Sequence, residues 1–228
     1  MYPLLIGRQI SVIKYWIKII QQPNAFYVRQ VYNELLETNI NEPTAVTWVS
    51  LVKSLLYKCG MGNYWVTQSV PNVSYFLAIF KQRLHDMFLQ EWNAEVALTS
   101  TSRLYKHIKD NFGFESYLNL CKKSHRIAIT KIRLSSHLFY IERGRWGVRK
   151  VERGERKCIA CSVIEDEYHC LLECPRYVNE RKYCVPEKLR KRPSMFEFVN
   201  FLKSENEQTQ RMLGVLCFRV QLKHKTFL

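Results

Sequence analysis

Four residues in one short stretch, Cys158-x2-Cys161-x7-His169-x4-Cys174, constrain this chain more than anything else in its 228 residues. Two thiols three positions apart can be aimed at a single point by a tight turn. A third thiol and an imidazole complete the Cys3His set that suits the closed tetrahedral geometry of structural zinc. The segment between Cys158 and Cys174 has too few apolar residues to hold itself together, so metal binding is expected to supply folding free energy there. Spacing alone leaves Cys170 open as a rival to His169, because a residue four before Cys174 shares a helix face with it. Cys59, Cys121, Cys184 and Cys217 stand apart from one another and are read as buried thiols.

The length suits one large or two modest domains. Hydrophobic residues make up 47% and charged residues 24%, near globular averages, so most of the chain is expected to fold. The start, Met1 to Arg8, has no basic leader, and no apolar run is long enough to span a bilayer. The expected location is therefore intracellular, nucleus or cytoplasm, with no membrane partner. In a reducing compartment close-spaced cysteines are better read as metal ligands than as disulfides.

Helical periodicity dominates, and the expected fold class is mainly α. Ile6, Ile10, Ile13, Ile17 and Ile20 line one face of a first helix, and a second runs from Phe26 to Glu37. Asn39 to Pro43 reads as a loop. Thr44 is placed to cap a third helix ending near Tyr57, with Cys59-Gly60 as its stop. A long helix is predicted over Ser74 to Ala97, its aromatic stripe read as core packing. Shorter helices fit Ser102 to Asp110 and Phe114 to Lys122. Ser194-Met195-Phe196-Glu197 has capping-box spacing and opens a helix to about Ser204, and a last helix covers Gln208 to Lys223. The resulting organisation is a helical region over 1–121, a basic segment over 122–157, the metal-binding motif over 158–184, a linker over Lys188 to Pro193, and C-terminal helices over 194–224.

Charge is the second strong signal. The net charge is +15, and residues 122–157 hold 12 Lys/Arg against 3 Asp/Glu. Such an excess favours polyanionic partners, nucleic acid foremost. With Ser124 as a cap, Lys122, Arg126, Arg133 and His137 fall near one helical face, and Ile127, Leu134 and Leu138 form the adjoining buried one. Lys131 lies on the same segment. Arg143, Arg145, Arg149, Lys150, Arg153, Arg156 and Lys157 extend the basic track toward the cysteines, with Tyr140 and Trp146 among them as stacking platforms for unpaired bases. Phosphate contacts carry little sequence information, so the expected partner is RNA or DNA bound without strong specificity.

The run Lys131 to Trp146, then Cys158 to Cys161, then Glu165 to Pro175, resembles the C-terminal region of non-LTR (LINE-type) retrotransposon reverse transcriptases. There, helices and a basic segment precede a Cys-Cys-His-Cys zinc-binding motif. The likeness covers about residues 124 to 182 and implies Cys158, Cys161, His169 and Cys174 as the ligands, with Cys170 where the family has a packing residue. It also implies RNA and DNA as ligands and a reverse transcriptase core as a partner. The chain itself has only three aspartates, Asp86, Asp110 and Asp166, none adjacent to another, so polymerase chemistry is not expected of it. Asp166 with Glu180 and Lys182 is a loose nuclease-like pattern, more simply a charged helix over Val178 to Tyr183. The expectation is a zinc-stabilised nucleic-acid-binding fragment, not an enzyme on its own. The competing expectation is a structural module whose residues 1–121 dock onto a polymerase.

Overall fold

The computed structural model describes residues 4–41, 46–99, 103–146 and 150–228. The chain is mainly α-helical, and among the described residues the only β-type pairing is an isolated antiparallel bridge between Lys157 and Ile164. It divides into two compact units, Met1–Trp92 and Asn93–Leu228. The division lies earlier than the boundary at 121 read from the sequence. The reason is visible in the core of the second unit, where Leu104, Ile108, Tyr117 and Cys121 are buried with residues as distant as Val220.

The first unit is built from α1 (Leu4–Ile20), α2 (Tyr27–Asn41), α3 (Trp48–Lys58), α4 (Gly62–Thr67) and most of α5 (Val73–Leu98). Ile6, Ile13, Trp16 and Ile17 of α1 are buried, as their three- and four-residue spacing requires. The expected cap Thr44 lies outside the described residues. α3 opens instead on a capping box in which Thr47 accepts from the Ser50 amide and the Ser50 hydroxyl accepts from the Thr47 amide. Gly60, at φ +65, takes the left-handed conformation that ends α3. Phe76 and Phe80 of α5 stack in the centre, their ring centroids 5.9 Å apart. The aromatic stripe of α5 is core.

The second unit contains α6 (Tyr105–Ile108), α7 (Tyr117–Leu120), α8 (Lys123–Arg133), α9 (Tyr140–Arg143), α10 (Val178–Cys184), α11 (Met195–Lys203) and α12 (Glu207–Lys225). α12 runs through its middle, burying Leu213, Gly214, Leu216, Cys217 and Val220. A Cβ on Gly214 would stand 3.0 Å from His125 Cβ and 3.3 Å from Cys121 Sγ, so glycine lets α8 and α12 approach closely. α8 presents Ala128, Ile129 and Ile132 inward, whereas Ile127, Leu134 and Leu138 are exposed. The buried face predicted for this segment is thus corrected by rotation about the helix axis.

The extent of α8 differs too. It stops at Arg133 because Ser135 adopts φ +50, and the Ser136 amide donates back to Lys131 O, an end motif normally signalled by glycine. His137 therefore lies beyond the helix and not on a continuous basic face. α11 begins as its sequence predicts, with Ser194 Oγ accepting from the Glu197 amide and the Glu197 carboxylate accepting from the Ser194 amide. Replacing Ser194 with Ala should lower the stability of the second unit by about 1 kcal/mol, read from a denaturant midpoint shift at constant slope.

Candidate metal centre

Two local structures bring the motif together. The first is a tight turn. Cys158 donates its amide to Val163 O at 2.7 Å, and the Cys161 and Ser162 amides both donate to Cys158 O. Ser162 takes φ +58 to close the turn, and the Lys157–Ile164 bridge clamps its base. Both thiols consequently face the same way. The second is a turn of π-helix, His169–Glu173, in which the Cys174 amide reaches back five residues to His169 O at 2.7 Å. The wider turn brings Cys174 back close to His169. Asp166 caps this element, its carboxylate accepting from the His169 amide at 2.8 Å.

The ligand atoms of Cys158, Cys161, His169 and Cys174 all lie within 4.8 Å of one another, close enough to hold one metal ion. Cys174 Sγ is 3.9 Å from Cys158 Sγ and 3.8 Å from Cys161 Sγ. Sulfurs bound at about 2.3 Å around a tetrahedral ion stand about 3.8 Å apart, so the spacing fits. His169 is 4% exposed, and neither ring nitrogen has a hydrogen-bond partner among the described residues. Buried imidazole nitrogens are normally satisfied, and a metal is the acceptor-seeking partner this geometry suits. Glu173 Oε2 stands 3.6 Å from His169 Nδ1, a carboxylate placed to orient the ring.

Charge in the cluster follows from crowding. Cys161 is pushed up to about 12, first by burial and then by Cys174 and Cys158. Burial opposes ionisation of Cys174 as well, yet the neighbouring His169 and Arg176 hold it down at about 6. His169 is raised to about 9 against the effect of burial, by the same two sulfurs, Cys174 and Cys158. A divalent cation at this place would favour the thiolate form of all three cysteines and would take the position of the His169 proton.

Cys170 is fully buried in the apolar core and is not one of the four clustered residues. Three supporting residues had no obvious signature in the sequence. Arg176 Nη2 donates to Cys158 Sγ at 3.2 Å and to Glu165 at 3.1 Å. Glu165 accepts from the Tyr140 amide, and Arg181 donates to Cys174 O at 2.6 Å. The only hint was proximity to the cysteines.

The basic segment is partitioned by the fold. Lys122, Lys131, Arg143, Lys150, Arg153 and Lys157 are exposed, as is Trp146. Arg149 lies outside the described residues. Arg133 and His137, predicted to contact nucleic acid, are buried and engaged elsewhere. Arg133 pairs with Glu115 at 2.5 Å, donates to Leu202 O and lies over the Tyr117 ring. His137 bonds Glu167 at 2.9 Å. Three more are half-buried and internally bonded. Arg126 donates to Leu118 O, Arg145 to Glu142, and Arg156 to Val151 O and Ile141 O. The cause is common to all: the unit buries carboxylates and backbone carbonyls that need cationic donors. The nuclease-like pattern is likewise spoken for, with Asp166 capping the π-turn and Glu180 paired to Lys223 at 3.1 Å.

Comparison with known protein families, with curated proteins and with solved structures finds no match to this chain. No described helix is long and apolar enough to cross a membrane.

Cobalt(II) titration checks the ligand set. One equivalent should develop thiolate charge-transfer absorption in the wild type and in Cys170→Ala, whereas Cys161→Ser should lose the stoichiometric endpoint. Arg133→Ala should lower stability by about 3 kcal/mol in chemical denaturation, because it strands buried partners. Its affinity for nucleic acid, measured below the unfolding transition, should stay within twofold of wild type.

Proposed function

We propose that the four-residue cluster holds a structural Zn2+ and that the ion orders a basic surface which binds RNA or DNA. The observation that carries this reading is the convergence, at tetrahedral spacing, of three thiols and a buried imidazole whose ring nitrogens make no hydrogen bond among the described residues. Zinc fits a set of sulfur and nitrogen ligands better than magnesium or calcium, which prefer oxygen. Four protein ligands leave no open coordination position. In this reading the ion activates no water, and the chain acts by binding instead of as an enzyme on its own.

The turn that carries Cys158 also carries Lys157, and the bridge to Ile164 fixes both. Metal occupancy thus bears on where exposed Lys157 and its neighbours sit. Among the described residues Lys122, Lys131, Arg143, Lys150, Arg153 and Lys157 form no ion pair, so their charges stand available to phosphate. Trp146, 68% exposed three residues after Arg143, offers a face for an unpaired base. The likeness of residues 124–182 to LINE-type reverse transcriptase C-terminal regions supports the same ligand class. A second reading, a module that docks on a polymerase or another protein, is favoured by apolar residues exposed in the first unit, Leu4, Phe26 and Tyr27 among them.

Salt distinguishes the two. Zinc content and fluorescence anisotropy on single-stranded RNA and duplex DNA are measured across a salt series, for wild type and Cys158→Ser/Cys161→Ser. One zinc per chain, and a log-linear fall of affinity with log salt, are expected for wild type, with both lost in the variant. Replacing Lys150, Arg153 and Lys157 by glutamine should reduce the salt slope by about one for each phosphate no longer neutralised. Zinc without salt-sensitive binding would favour the docking module, and absence of zinc would overturn the reading.

A further inference from the structure

A second basic site lies on the far side of the metal motif, where the sequence read only a charged helix and a linker. Residues 181–192 contain six Lys/Arg and a single acid, Glu187. Residues 158–228 as a whole hold 12 Lys/Arg against 9 Asp/Glu, so the local excess is masked in the average. The fold gathers it around a groove of about 410 Å³, between the π-turn, α10 and the segment before α11. Arg181, Lys182, Arg190 and Arg192 line it, and Glu173 is the one carboxylate among its walls. No carboxylate lies within ion-pair distance of these four cations among the described residues.

Arg181 distinguishes this groove from an ordinary solvated charge run. It is 8% exposed and its Nη2 is fixed by two carbonyls, Cys174 O at 2.6 Å and Glu173 O at 3.2 Å. Its Nη1 is buried with no hydrogen-bond partner. A guanidinium held in place by its supports sets a fixed positive charge in the groove wall, with an unpaired donor beneath it. Arg190 is similarly braced, donating to Val185 O and Lys182 O, while Arg192 takes a left-handed conformation at φ +47. Rigid guanidinium forks match the tetrahedral oxygens of phosphate. The volume suits a small group rather than a groove-spanning helix.

We propose that this groove is a phosphate-binding site, with Arg181 as its inner donor and Lys182, Arg190 and Arg192 as its rim. It stands independently of the basic segment 122–157. The phosphate is that of a nucleic-acid backbone or a free terminal phosphate, two sources with the same oxygens.

The test uses the zinc-loaded full chain at low ionic strength, with inorganic pyrophosphate as probe and backbone amide NMR shifts as readout. Pyrophosphate should saturably shift the amides of Lys182, Arg190 and Arg192. Lys182→Gln/Arg192→Gln, which alters only exposed side chains, should weaken that binding by about tenfold with zinc content unchanged. Lys122→Gln/Lys131→Gln should not weaken it. Unsaturable shifts scattered over the surface, equal binding by the groove variant, or preferential displacement by a glutamate peptide would each overturn the site. Short single-stranded oligonucleotides with and without a 5′-phosphate separate the sources. Equal loss of affinity for both in the groove variant identifies backbone phosphodiesters, and loss for the phosphorylated one alone identifies a terminal phosphate. If pyrophosphate binds in the groove while neither oligonucleotide binds the chain, the groove stands and the nucleic-acid reading of the protein fails.

Discussion

Three sulfurs and an imidazole within 4.8 Å of one another set the terms for the whole second unit. Ionised thiols so close repel one another, and a shared positive centre would remove that repulsion. Two separate chain segments must be folded to present it, the turn around Cys158 and the π-turn around His169. Neither is a low-energy default. The first needs a serine at φ +58, and the second needs a helix widened to i, i+5. Strained local geometry of this kind persists when something over-determines it, and four bonds to one ion would do so.

The same region carries an unusual amount of buried charge. Glu142, Glu165 and Glu167 are each at most 5% exposed. Glu142 is held by Arg103 and Arg145, Glu167 by His137 and Arg103, and Glu165 by Arg176 and the Tyr140 amide. Arg176 also touches Cys158 Sγ, so the carboxylate network and the metal motif share a member. Buried ion pairs contribute little net stability against well-packed apolar residues, but losing one partner is costly. Their effect here is to fix register: the α9 segment, the turn and the π-turn are tied at specific atoms, which apolar contact alone does not achieve.

How much could be read in advance follows from which interactions are local. Helix existence was legible from apolar periodicity, and the Ser194–Glu197 box from its own four residues. That Cys158 and Cys161 would face one point was legible because their spacing encodes a turn, whereas the choice of His169 over Cys170 for the cluster was not settled by spacing. The end of α8 was not, since Ser135 adopts a left-handed conformation that sequence rules assign to glycine. Which face of α8 is buried depended on α12, ninety residues away, whose Gly214 draws it close. The supporting roles of Arg176 and Glu165 were equally invisible, being set by tertiary contact.

Charge was the least local property. A count of cations in a segment measures a surface only if those cations reach the surface, and here the interior takes its share. Arg133, Arg181 and, in part, Arg126 and Arg156 serve buried carbonyls and carboxylates. The available positive charge is therefore smaller in the basic segment than its composition implies, and larger beyond the metal motif, where Arg190 and Arg192 face a groove with few acids. The metal motif lies between these two populations in the chain. An ion bound there would fix the turn next to Lys157 on one side and the carbonyl of Cys174, on which Arg181 rests, on the other.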